Sequence, residues 1–96
     1  MFTPQARWDR NLPQDANQTL GSSINVLSFI YNGRIVPKSF LWNNKILHIT
    51  KIYFFWKNTQ GKETLYFFSV QTEAGVYEIV FSRHALSWYI CKLISP

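Results

Sequence analysis

Residues 64–72 read Thr64-Leu65-Tyr66-Phe67-Phe68-Ser69-Val70-Gln71-Thr72, residues 73–75 read Glu73-Ala74-Gly75, and residues 76–82 read Val76-Tyr77-Glu78-Ile79-Val80-Phe81-Ser82. Tyr66, Phe68 and Val70 recur at every second position, as do Tyr77, Ile79 and Phe81. Successive side chains of a strand point to opposite faces, so this spacing predicts two strands with one shared buried face. The short segment between them, ending in glycine, predicts a hairpin loop.

The same grammar extends in both directions. Upstream, Ile24–Tyr31 is rich in strand formers and stops at Asn32-Gly33. Both residues tolerate positive φ, so the pair predicts a tight hairpin turn. Arg34–Trp42 follows and contains Pro37, which lacks a ladder N–H and predicts an edge strand or a break. Asn43-Asn44 reads as a second turn. Ile46–Lys57 is long, with both faces mixed, which predicts a face-swapping bulge near Thr50-Lys51. Asn58–Glu63 reads as a polar loop with Gly61. Downstream, Arg83–Leu86 reads as a turn and Ser87–Ile94 as the last strand.

No stretch carries helical periodicity. The expected fold is all-β: an antiparallel meander of five to six strands, either an open curved sheet or a small SH3-like barrel. Residues 1–23 carry Pro4, Pro13, Gly21 and many Gln, Asn, Ser and Asp, and read as a flexible N-terminal tail. Trp8 and Phe2 stand out in it as anchors for a partner or for the domain's own surface, against the plainer reading of chance aromatics. Residues 24–96 form the expected single domain.

Composition sets the functional classes. The chain carries a formal +5 charge, and residues 34–62 hold Arg34, Lys38, Lys45, Lys51, Lys57 and Lys62 with no acidic residue. Such a field favours phosphates, anionic headgroups or an acidic protein. Phe40, Trp42, Tyr53, Phe54, Phe55 and Trp56 share the segment. Small β domains bind single strands with cations along the phosphates and aromatics against the bases. The candidate nucleic-acid-binding residues are therefore Lys38, Trp42, Lys45, Lys51, Trp56 and Lys57, with single-stranded nucleic acid the favoured ligand. The same aromatics also serve as core fillers and the lysines as edge protection. A protein-interaction or homodimerising module stands as the alternative.

Catalytic supply is thin. Glu63 and Glu73 fall in turns, and Glu78 pairs naturally with Lys92. His48, His84 and Cys91 match no nucleophile spacing. One cysteine and two histidines cannot supply a structural zinc site, and no glycine-rich phosphate loop is present. The chain is expected to be non-catalytic, with no cofactor and no metal. Its single cysteine fits a reducing compartment, hence a cytoplasmic location. Its longest strongly apolar run, Ile52–Trp56, is far short of the ~20 residues a membrane span needs.

Phe40 to Ile94 also resembles a short bacterial domain of unknown function that stands alone or sits at the C-terminal end of some Y-family, lesion-bypass DNA polymerases. The matching positions are Pro37, Phe40 and Trp42, then Ile49 and Ile52 ahead of Trp56, then Tyr66, Val70 and Thr72. Gly75-Val76-Tyr77-Glu78-Ile79 and Trp88-Tyr89-Ile90 complete them. This chain carries Lys, Asn and aliphatics where that family is rich in Arg and Asp. The resemblance implies a β meander and a place near DNA, and brings no catalytic residue.

Overall fold

A computed structural model describes residues 21–96. Eight antiparallel strands form two sheets: β1 (Ser23–Ile24), β2 (Val26–Tyr31), β3 (Arg34–Trp42), β4 (Lys45–His48), β5 (Lys51–Gln60), β6 (Glu63–Thr72), β7 (Gly75–Ser82) and β8 (Ser87–Ser95). One sheet runs β1-β8-β7-β6-β5 and the other β2-β3-β4. Neither closes into a barrel, and no helix occurs among the described residues.

The tight turns follow from their residues. Asn32 and Gly33 both take positive φ, at 53° and 76°, as do Asn43 and Asn44, at 51° and 65°. Positive φ at both central positions gives the turn whose twist matches that of flanking strands. The expected loop Asn58–Glu63 is much shorter than its polar composition implies. Thr59 pairs with Thr64 and Gln60 with Glu63, leaving only Gly61-Lys62 to turn. Gly61, at φ 60°, supplies the one positive angle needed there.

Two expected strands are each cut in two, which raises six to eight. Ile24–Tyr31 breaks at Asn25, with β1 in the larger sheet and β2 in the smaller. Ile46–Lys57 breaks at Ile49-Thr50. There the Ile49 N–H donates to the Lys38 carbonyl at 2.9 Å, and the Thr50 N–H donates to the Gln71 carbonyl at 2.9 Å. Consecutive amides thus join different sheets, and the chain turns a corner. The expected bulge lies slightly further on, between Ile52 and Phe54.

Pro37 is not on an edge strand, since β3 is the central strand of its sheet. It is tolerated because it flanks a bulge and lies past the end of β4: Leu27 pairs with Ser39 and Ser28 with Pro37, while pairing with β4 stops at Ser39–His48. The chain is also more than a meander, because β8 returns to pair with β1. The Gly21 N–H donates to the Ile90 carbonyl at 2.7 Å and the Ile90 N–H to the Ser22 carbonyl at 3.0 Å. Residues 21–23 therefore belong to the domain, and the rest of the expected tail, 1–20, lies outside the described residues.

The core lies between the sheets. Phe40 and Leu47 from the smaller sheet meet Phe68, Val70, Tyr77, Ile79, Trp88 and Ile90 from the larger. Tyr77 is the bridge, with Phe40 edge-on at 5.9 Å and Trp42 at 6.4 Å. Behind it, Phe55, Tyr66, Phe81, Trp88 and Phe68 form a closed circuit of ring contacts at 5.1–6.3 Å. Such pairs add about 0.5–1.5 kcal/mol each beyond their burial. The predicted buried face is the observed one, with Tyr66 and Phe81 half-covered.

Truncation of Phe68 to Ala is expected to cost about 3–5 kcal/mol, by cavity formation at a site that is fully enclosed. Phe81→Ala is expected to cost less, because its ring is only half-buried. Denaturant midpoints of the two variants check the order.

Candidate functional site

Alternation in a strand assigns each residue of β5 to a face, and the bulge at Tyr53 resets the count. Lys51 pairs with Gln71, Phe54 with Ser69 and Trp56 with Phe67. These residues share the face turned away from the smaller sheet. Ile52, Phe55 and Lys57 pair with Val70, Phe68 and Tyr66, and share the inner face.

The six candidate residues do not form one surface. Lys38 sits at the bulge of β3. Trp42 and Lys45 pair at the end of the β3–β4 hairpin, with Trp42 half-buried against Tyr77. Lys51 and Trp56 share the outer face of β5, while Lys57 lies on its inner face. Of the six, Lys51 and Trp56 share a face of one strand, with Phe54 between them.

The residues around that pair form the most distinctive surface of the molecule. Among the described residues β5 is a free edge of the larger sheet, ten residues long and exposed over nearly all its length. Phe54 is 68% exposed, Phe55 55%, and Tyr53 and Trp56 42% each. The Lys51 ammonium stands 4.8 Å above the Tyr53 ring. The Tyr53 hydroxyl donates to Gln71 Oε1 at 2.6 Å, fixing the ring against the sheet. Trp56 stacks on Phe67 at 5.1 Å with the rings nearly parallel. These aromatics are held in place with faces open to solvent.

On the inner side, the sheets leave an open cleft of about 370 Å³ beside β5. Ile35 and Val36 line it from β3, Ile52 and Phe55 from β5, and Tyr66 and Phe68 from β6. The edge is therefore apolar on both faces. The loss of alternation across Ile52–Trp56 is the sequence signal for such a strand. It was legible, but it reads equally well as a bulge.

The three described glutamates are each engaged within the fold. Glu63 accepts from the Thr64 N–H at 3.0 Å, the His84 N–H at 3.2 Å and the Ser82 hydroxyl at 2.8 Å, locking two turns together. Glu73 accepts from the His48 N–H at 3.0 Å and lies 3.6 Å from its ring. Its carboxyl is held below the usual range, first by its own backbone amide and then by that of His48. Lys92 reaches Glu78 at 3.5 Å. Burial, with Glu78 adding to it, pushes the Cys91 thiol from an ordinary 9.0 up to about 12. Among the described residues no group of three or more His, Cys, Asp or Glu is placed to hold a metal ion, and no helix is long and apolar enough to cross a membrane.

No family model, curated protein or solved structure matches the chain.

Cys91 is expected to react slowly with iodoacetamide at neutral pH, because the thiolate is the nucleophile. Its raised value also gives a signed pH dependence. The unfolded thiol ionises near its ordinary value and the folded one does not, so stability falls as pH rises from about 9 towards 12. Denaturant titrations across that window, with Cys91→Ser as the control that flattens the slope, check it.

Proposed function

We propose that the chain is a small, non-catalytic interaction module that self-associates through β5. The observation that carries this reading is the free edge itself, ten residues long, with Tyr53, Phe54, Phe55 and Trp56 exposed on its two faces. A free edge offers a row of unpaired backbone N–H and C=O groups, and a flat apolar one invites another strand. Soluble monomers seldom leave so much contiguous apolar surface uncovered.

A second copy is the occupant the strand's own sequence suits. Antiparallel pairing about a twofold axis is self-complementary. A register centred on Phe55 sets Phe55 against Phe55 and Phe54 against Trp56, each pair on one face. The aromatics then cluster at the axis and no lysine opposes a lysine. The inner cleft beside Phe55 gives room for side chains from the added strand.

A basic, aromatic nucleic-acid surface is the second reading, carried by Lys51 with Tyr53, Phe54 and Trp56 on one face. The resemblance to a polymerase-appended domain agrees with it. The scatter of Lys38, Lys45 and Lys57 over other surfaces weighs against it, because a phosphate track needs cations in a row.

Salt separates the two. Copies carrying +5 repel, so dimerisation should strengthen as salt rises from about 50 to about 500 mM, where screening is strong. Nucleic-acid binding should weaken over the same range by loss of counterion release. Sedimentation velocity from about 10 µM to about 1 mM should show a dimer, weakened tenfold or more by Phe54→Lys at the centre of the contact. A chain that stays monomeric at the top of that range in high salt overturns self-association. A monomer that binds a single-stranded oligonucleotide with a steep inverse salt dependence replaces it with the second reading.

A further inference from the structure

The inner cleft has an apolar lining and a cationic end. Its layout follows from the corner at Ile49-Thr50, whose consecutive amides hold Lys38 of β3 beside Gln71 of β6. Away from that corner β3 runs back to Arg34, β6 runs back to Tyr66 and β5 runs out to Lys57. The lining therefore starts at Ile52, continues through Phe55 and Phe68, and ends where Tyr66, Gly33 and Arg34 line the cleft. Lys57 pairs with Tyr66 on the inner face of β5, one side-chain step beyond Phe55. Among the described residues the ion pairs are His48–Glu73 and Lys92–Glu78, so Arg34 and Lys57 have no carboxylate partner there. No carboxylate lines the cleft. Glu63 alternates with Leu65 and Phe67 on the outer face and is bound to Ser82, and Glu78 pairs with Ser69 on that same face. Glu73 lies in the β6–β7 turn, at the opposite end of β6 from Tyr66.

We propose that this cleft binds a small amphipathic anion, a medium-chain carboxylate, with its alkyl chain along Ile35, Ile52, Phe55 and Phe68 and its carboxylate between Arg34 and Lys57. At about 370 Å³ the cleft falls in the range of small-molecule sites, about 300–1,000 Å³, and it shares their pattern of apolar walls with a few polar groups at one place. The walls draw in hydrocarbon, because burying it frees apolar surface from water. They offer nothing to a charge, so the anionic group stays at the exposed end. There the Arg34 guanidinium presents the planar fork that suits a carboxylate, and the Lys57 ammonium adds a second positive charge. A neutral hydrocarbon would leave both cations unused. A nucleic-acid strand would find two cations and an apolar slot in place of a row of phosphate contacts. The site lies within one chain, so it stands apart from self-association through β5, although Phe55 belongs to both.

The test titrates sodium decanoate, below its micelle-forming concentration, into the full chain with methyl-labelled Ile and Val, at a concentration where sedimentation shows a monomer. Saturable shift changes are expected at Ile35, Val36 and Ile52, which line the cleft, and not at Val80, which lies on the other face of the sheet. Octanoate, two methylenes shorter, should bind roughly tenfold more weakly. Arg34→Glu, at an exposed position, should weaken decanoate about tenfold or more while leaving decanol unchanged, and Lys57→Glu should act in the same direction. Absence of a saturable change at the three methyls overturns the proposal. So does equal affinity of the wild-type chain for decanol and decanoate. A third overturning result is movement of the same methyls with protein concentration alone, unaffected by decanoate, which gives the cleft to a second copy of the chain.

Discussion

Two adjacent amides organise this protein. The Ile49 N–H binds the smaller sheet and the Thr50 N–H binds the larger one. A strand that continued straight from Ile46 to Lys57 would keep β4 and β5 in one plane. The corner instead sets β2-β3-β4 on top of β8-β7-β6, and a second corner at Asn25 does the same at the other end of the small sheet. Everything buried between the layers depends on those two crossings.

The contacts that hold the layers together are few and specific. Tyr77 receives Phe40 and Trp42 from above. Glu73, at the β6–β7 turn, takes the last amide of β4. Gly75 starts β7 where no side chain fits, since a Cβ there would meet the backbone of Ser95 and Pro96. A chain this small buries a modest share of its surface, so each of these carries a large part of a narrow stability margin. The three described glutamates take part in this framework: Glu63 joins two turns, Glu73 takes the His48 amide and Glu78 pairs with Lys92.

The surplus aromatics divide by position, not by type. Phe68 and Trp88 fill the core, whereas Phe54, Phe55 and Trp56 crowd an edge that nothing among the described residues covers. Natural sheets blunt such edges with charge, proline or bulges. Here Lys51 and Lys57 bracket the aromatic run and Tyr53 bulges, yet the middle of the strand stays apolar on both sides.

Period-two spacing in Tyr66–Phe68–Val70 and Tyr77–Ile79–Phe81 determined the central hairpin and its buried face. Asn32-Gly33 and Asn43-Asn44 determined two turns through their tolerance of positive φ. These are local properties, so sequence alone carries them. Tertiary structure decided where the long strands break, why Pro37 survives in a central strand, and that β8 closes on β1. It also decided that the lysines of residues 34–62 scatter while the aromatics of β5 gather on an open edge. Whether an apolar residue in a strand meets a second layer, a partner or water depends on how the sheets stack, and stacking is set by corners and long-range pairing that leave no local pattern in the chain.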